Sequence, residues 1–404
     1  MNKFSLVYRK WTNLSLVLRI LSGLVLGIVL GFTVPTLSGI GLLGVGFVSA
    51  LKAIAPILVA VLVTASIAKA KGGLGHRFGL VIALYMFSTF VAAVVAVVGS
   101  NLFPITLTFR EAAEGSAPEG LSEVFSSLLS NMVQNPVAAI ASANYIGILF
   151  WSIIVGIALR KRASEATISV VVNLANAISA VVGWVIQFAP FGIMGLVFTA
   201  VSESGLEIFT EYGKLVLLLV GCMLFVALVT NPLIVAATIR RNPYPMVWKC
   251  LKESGLSAFF TRSSAANIPV NMDLCKRMNL DENFYSVSIP LGATINMNGA
   301  AVTITVLSLA VAGTMGINIG ILPAIVLSAI ATLGACGTSG VAGGSLLLVP
   351  MACAFFGVGN DVAMQAVGVG FIIGVIQDSV ETALNSSGDV LFTATAEIRE
   401  KMKK

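Results

Sequence analysis

Charge is what this chain has least of. Asp, Glu, Lys and Arg make up 10% of its 404 residues against 57% hydrophobic ones, and the mean hydropathy is +0.98. No soluble domain hides that much apolar surface, so the composition excludes a soluble protein and leaves a polytopic membrane protein. Histidine is nearly absent. His76, the only one, sits in a basic loop, which leaves the G-x-S-G-like stretch Gly337-Thr338-Ser339-Gly340 without a base for nucleophilic chemistry. An aspartyl protease would want carboxylates on two helices, and Asp378 and Asp389 share one. No enzyme is expected. The five cysteines, Cys222, Cys250, Cys275, Cys336 and Cys353, show no C-x-x-C spacing and read as packing residues rather than a disulfide framework.

What is present is a succession of apolar runs that reach or exceed the ~20 residues of a helical span, not the ~10 of a barrel strand. Spans are expected near 14–36, 41–69, 79–103, 138–159, 166–200 and 213–239. The first is read as a retained span rather than a signal peptide, because it lacks a cleavage site. Lys69, Lys71, His76, Arg77, Arg160, Lys161, Arg162, Arg240, Arg241 and Lys249 fall on one side. Glu111, Glu114, Glu119, Glu123, Glu203, Glu207 and Glu211 fall on the other. Basic loops stay inside, so a cytoplasmic N-terminus is expected, and the net charge of +6 is an orientation signal, not a nucleic-acid one.

After residue 245 the pattern changes. The apolar stretches flanking Thr261-Arg262-Ser263-Ser264-Ala265-Ala266-Asn267 each run about 12 to 15 residues, too short for a ~30 Å core. A second short pair, Ile319–Leu333 and Leu346–Val358, flanks a glycine-rich tip at 334–345, and between the pairs a span near 283–313 is broken by Asn296-Met297-Asn298-Gly299. Short helix pairs with small-polar tips read as re-entrant hairpins; ordinary glycine-rich loops are the bland alternative. Tip to polar centre is about 33 residues from Ser263 to Asn296 and about 40 from Thr338 to Asp378, which suggests a duplicated unit with a transport site at its interface.

The last span carries Asp378-Ser-Val-Glu381-Thr382-Ala-Leu-Asn385-Ser-Ser-Gly-Asp389. At ~100° per residue, Asp378, Glu381, Thr382, Asn385 and Asp389 all lie within roughly 60° of one line. Buried carboxylates on a membrane helix cost several kcal/mol and normally face a pathway. The face reads as a cation and solute site; a solvated helix end is the alternative.

Three segments, T-R-S-S-A-A-N-I-P-V (261–270), P-L-G-A-T-I-N-M-N-G-A (290–300) and the 378–389 stretch, resemble the dicarboxylate/amino acid:cation symporter family, the glutamate-transporter homologues. The resemblance implies an all-α membrane protein with eight spans, two opposed re-entrant hairpins in inverted repeats, and a homotrimer in a bacterial inner membrane with both termini cytoplasmic. It also implies an elevator motion of a transport region (241–404) against a scaffold (1–240), with spans 3 and 6 moving with the former. Carried over, Asp378 and Thr382 receive the substrate ammonium, helped by carbonyls of Arg262 and Val341, and Asn385 with Ser264, beside Ser263, holds its carboxylate. One sodium takes Gly292, Asn296, Asn385 and Asp389, and a second takes Thr294, Ala335, Cys336 and Thr338. Tyr85, Ser88, Thr89 and Asn296 would form a third site.

Two departures matter. Glu381 stands where acidic-substrate members carry an Arg. At ~4 Å and an effective dielectric near ~20, two like charges repel by about 4 kcal/mol, so acidic substrates are disfavoured. A carboxylate there accepts a hydroxyl instead, and Ala300 leaves modest room. Sodium-coupled uptake of L-serine and L-threonine is therefore expected, with another amino acid or dicarboxylate driven by sodium or protons as the alternative within the family, and an ion channel as the alternative outside it. Asn298 stands where many members carry Asp, which weakens the third sodium site. Arg262 either pairs with Asp378 or Glu381 or reaches the cytoplasm as a snorkelling side chain.

Overall fold

The computed structural model describes residues 16–69, 76–107, 132–205, 207–336 and 343–402, with Leu14, Ser130 and Thr338. Among the described residues there are helices and no strands. The first half contributes α1 (Leu16–Thr33), α2 (Gly41–Lys69), α3 (His76–Leu102), α4 (Tyr145–Arg162), α5 (Glu165–Gln187) and α6 (Ala189–Ser204). Then comes α7, running from Glu207–Phe225 through a π-helical turn, Val226–Thr230, to Asn231–Ile239. Pro232 lies just beyond that turn. It has no N–H to give and clashes with the carbonyl four residues back, which the wider turn relieves.

The second half is α8, α9 (Ser264–Arg277), α10 (Glu282–Ile295), α11 (Asn298–Thr314), α12 (Ile321–Ala335), α13 (Val349–Ala354) and α14 (Asn360–Lys401). Helix α8 joins Tyr244–Cys250, a π-helical Leu251–Gly255 and Leu256–Thr261. Among the described residues, six helices are long and apolar enough to cross a membrane: Ser38–Lys69, Arg77–Leu102, Glu165–Gln187, Phe209–Ile239, Glu282–Thr314 and Asn360–Lys401.

Three expected boundaries differ. The run 166–200 is two helices meeting at Phe188, because Pro190 withdraws a hydrogen-bond donor from the ladder. The fourth span begins at Tyr145, where the side chain of Asn144 caps it. The first arm before the Arg262 tip is longer than 12 to 15 residues: its pieces of 7, 5 and 6 residues rise about 27 Å.

Helices α1, α2, α4, α5 and α6 pack on one another, whereas α3 and α7 pack against α11 and α14 of the second half. Helix α1 lies close on α6 along Gly23, Gly27 and Gly31. A Cβ at Gly27 would sit 2.6 Å from the Met194 carbonyl oxygen. Small residues let helix backbones approach where lipid supplies no hydrophobic drive. Helix α14 is the axis of the second half, touching α8, α9, α10, α11 and α13 along its length. At one end Arg77 binds Asp281 (2.7 Å) and stacks over Phe284 (4.8 Å), and its hydrogen bond holds the Asp281 carboxyl below its ordinary range.

Candidate ion and solute site

Three interruptions bring backbone and polar side chains together beside α14. Helix α8 ends at Arg262, which adopts a left-handed conformation with φ 52°, a cost that a non-glycine residue bears only where its surroundings impose it. The turn starts α9 behind it, with the Ser263 hydroxyl accepting from Ala266 N (3.2 Å). The long membrane helix breaks at Asn296-Met297 between α10 and α11. Helix α12 stops at Ala335, and Thr338 beyond it donates through N and Oγ1 to the Ala335 carbonyl (3.0 and 2.8 Å).

Asp378, Glu381, Thr382, Asn385 and Asp389 are all buried, at 1 to 5% exposure. A solvated stripe at a helix end is thereby excluded. Arg262 settles on Asp378: Nε and a terminal guanidinium nitrogen both reach Asp378 Oδ2 (2.8 and 2.7 Å), and the same nitrogen donates to the Gly374 carbonyl (3.3 Å). Gly343 N approaches Asp378 Oδ1 (3.4 Å), and Thr382 Oγ1 donates back to the Asp378 carbonyl (2.7 Å). Glu381 has neutral donors instead, namely Thr303 Oγ1 (2.7 Å), Ser345 Oγ (2.8 Å) and Gln377 Nε2 (2.5 Å). Thr303, Ser345 and Gln377 are partners that the sequence reading missed.

Arg262, Ser263, Ser264, Met297, Thr338, Asp378, Glu381, Thr382 and Asn385 line one small cavity of about 20 Å³. That is room for a single water and not for an amino acid. Val341, expected here, lies outside the described residues. A larger cavity of about 920 Å³, between α3 and α7, is almost wholly apolar and lies away from these groups.

Asn385 is oriented by its neighbours. Gly299 N, at the first turn of α11, donates to Asn385 Oδ1 (2.7 Å), and Asn296 Nδ2 donates to both the Asn385 carbonyl (3.0 Å) and Asp389 Oδ1 (3.0 Å). Asp389 Oδ2 is buried and has no hydrogen-bond partner among the described residues. A buried carboxylate oxygen of this kind, with backbone and amide oxygens near it, suits a hard cation. Gly292 leaves the space, since a Cβ there would sit 2.8 Å from Asp389 Oδ1. Around the second tip, Cys336 Sγ lies 3.9 Å from the Ile295 carbonyl, so the ends of α12 and α10, with Ala335 and Thr294, adjoin.

Tyr85, Ser88, Thr89, Asn296 and Asn298 form a fully buried cluster. Thr89 and Ser88 donate to Asn298 Oδ1 (2.9 and 3.2 Å), and Asn298 Nδ2 donates to Asn231 Oδ1 (3.2 Å) on α7. Tyr85 reaches instead toward the carbonyls of Asp389 (3.1 Å) and Ser288 (3.2 Å). Asn231 is a further partner that no sequence signal singled out.

The sodium:dicarboxylate symporter family matches residues 16–397. The chain belongs to this family. It is 58% identical over 394 residues, 97% of this chain and 92% of the relative, to the serine/threonine transporter SstT of Bifidobacterium adolescentis. It is 55% identical over 391 residues, 96% of this chain and 97% of the relative, to the serine/threonine transporter SstT of Streptococcus agalactiae. The members are symporters, and this chain is a multi-pass membrane transporter, not an enzyme.

Proposed function

We propose that the chain is a sodium-coupled carrier that takes L-serine and L-threonine into the cell by alternating access. The observation that carries this reading is the buried carboxyl of Glu381 on the polar face of α14, where a cationic clamp for an acidic substrate would have to stand. The names of the relatives support the same substrate class.

In this reading Asp378 and Thr382 receive the ammonium once Arg262 has swung away, with the Arg262 and Val341 carbonyls helping. The amide nitrogen of Asn385 and the backbone at Ser264, next to Ser263, take the carboxylate, and Glu381 accepts the side-chain hydroxyl. Sodium completes the coordination of Asp389 with carbonyls of Gly292, Asn296 and Asn385; a second ion lies among Thr294, Ala335, Cys336 and Thr338. Tyr85, Ser88 and Thr89 would hold a third only weakly, because Asn298 supplies no charge there. Helix pairs α8–α9 and α12–α13 act as re-entrant hairpins among eight spans. Helices α8 to α14 with α3 and α7 move as a transport unit against α1, α2 and α4 to α6 in a trimer, both termini cytoplasmic. The test is uptake into proteoliposomes of serine, threonine, alanine and aspartate, with sodium and proton gradients imposed separately. Serine uptake driven by a proton gradient alone would overturn the coupling assigned here.

A further inference from the structure

The donors on Glu381 share a pattern. Thr303 of α11, Ser345 ahead of α13 and Gln377 one turn before Glu381 on α14 come from three elements, and all three reach the same oxygen, Oε2. Gln377 Nε2 also donates to Thr303 Oγ1 (2.7 Å), closing a three-residue ring. That bond fixes a direction. The amide nitrogen can only donate, so Thr303 Oγ1 accepts from it, and the hydroxyl gives its single proton to the accepting oxygen of Glu381. The donors are buried as deeply as the ring allows, at 0% exposure for Thr303 and Gln377 and 1% for Ser345. Oε2 is saturated and the carboxylate plane cannot rotate without breaking several bonds at once. The other oxygen, Oε1, is the one these three bonds leave free to accept, and Glu381 lines the small cavity with Asp378, Thr382 and Asn385.

We infer that Thr303, Ser345 and Gln377 are positioning residues for substrate selection: they hold Glu381 so that Oε1 meets the hydroxyl of serine or threonine. The inference rests on the proposed role of Glu381 as hydroxyl acceptor. Because Ser345 stands on the return arm of the second helix pair, the hydroxyl contact and the seating of that arm depend on one carboxylate. A purely structural role is the competing outcome, with the three side chains stapling α11 and α13 to α14. It predicts a different response, since a loosened staple weakens every substrate alike.

The experiment compares the serine KM with the inhibition constant of alanine, which lacks the hydroxyl, against labelled serine uptake in proteoliposomes. Thr303→Val, Gln377→Leu and Ser345→Ala are each expected to lower the preference for serine over alanine by about tenfold, the scale of one charge-assisted hydrogen bond misplaced. Alanine affinity should hardly move, and Thr303→Ser should keep the wild-type ratio. Serine and alanine weakening together, or neither changing, would overturn the inference. Three variants on three separate elements leave a readable protein if one fails to fold. Glu381→Gln separates the layers: if it leaves the serine-to-alanine ratio unchanged, the hydroxyl role itself is wrong. If it collapses the ratio while the other variants do not, the positioning role alone fails.

Discussion

Replacing Arg262 by methionine should make the carrier bind serine more tightly. In the structure the guanidinium holds Asp378 through two contacts of 2.8 and 2.7 Å, with the two side chains 11% and 5% exposed. The proposed ammonium partner is therefore already occupied by a cation of the protein itself. Two opposite charges ~4 Å apart at an effective dielectric near ~20 attract by about 4 kcal/mol. A serine ammonium recovers most of that attraction when it displaces the guanidinium, while the released Arg262 regains part of its hydration. A residual penalty of about 1.4 to 3 kcal/mol, roughly 10- to 100-fold in affinity, burdens the wild type and is absent from the variant. Methionine keeps the backbone carbonyl and, being another non-glycine residue at φ 52°, leaves the strain of the turn comparable. The assay is serine binding to purified protein at saturating sodium, with turnover measured separately, because an unpaired buried Asp378 should slow the return of the unloaded carrier. A Kd at least tenfold lower with reduced turnover is expected. A Kd unchanged or raised would refute the reasoning and make Arg262 a contributor to substrate binding.

Other outcomes follow from neighbouring residues. Asp378→Asn should abolish measurable amino acid binding, a loss of about 10² to 10⁴ for a buried charge partner, while sodium binding without substrate survives; normal serine transport by this variant would mean the polar face is misassigned. Asp389→Asn should raise the sodium concentration for half-maximal uptake steeply, and Gly292→Ala should act in the same direction, because its Cβ would press on Asp389 Oδ1 at 2.8 Å. Sodium titrations of uptake check both. Asn298→Asp places a carboxylate against Ser88 and Thr89 and should raise the sodium-to-serine ratio read from reversal potentials, most clearly when Asn231, which now accepts from Asn298, is changed to alanine. An unaltered ratio would show that the Tyr85–Thr89 site is already filled in the wild type.

Much of the site was legible because its signals are local. The five polar residues of α14 fall on one face by the helix period alone, and the breaks at Arg262, Asn296 and Ala335 announce themselves through their small-polar stretches, although the arm before Arg262 is longer than its apolar run suggests. What escaped depends on residues far apart in the chain. Thr303 sits inside an unremarkable apolar run, and Asn231 stands 20 residues after Glu211 with nothing to mark it as the partner of Asn298. The buried quartet of Ser254, Asn267, Asn271 and Ser386, hydrogen-bonded across α8, α9 and α14, was invisible for the same reason. Nor does the π-helical turn at Leu251–Gly255 have a sequence signature, since one inserted residue leaves the hydrophobic pattern nearly unchanged. The break at Phe188 was available in Pro190, but continuous hydropathy across it outweighed that signal.

In the proposed reading a carboxyl at Glu381, where an acidic substrate would need a cation, sets what this carrier accepts, and competition between serine and aspartate tests it most directly. In proteoliposomes with an inward sodium gradient, labelled serine should enter saturably. Aspartate should neither enter nor inhibit at a hundredfold excess, since about 4 kcal/mol of repulsion is roughly a thousandfold in affinity. Sodium-driven aspartate uptake at serine-like affinity would contradict the assignment of Glu381.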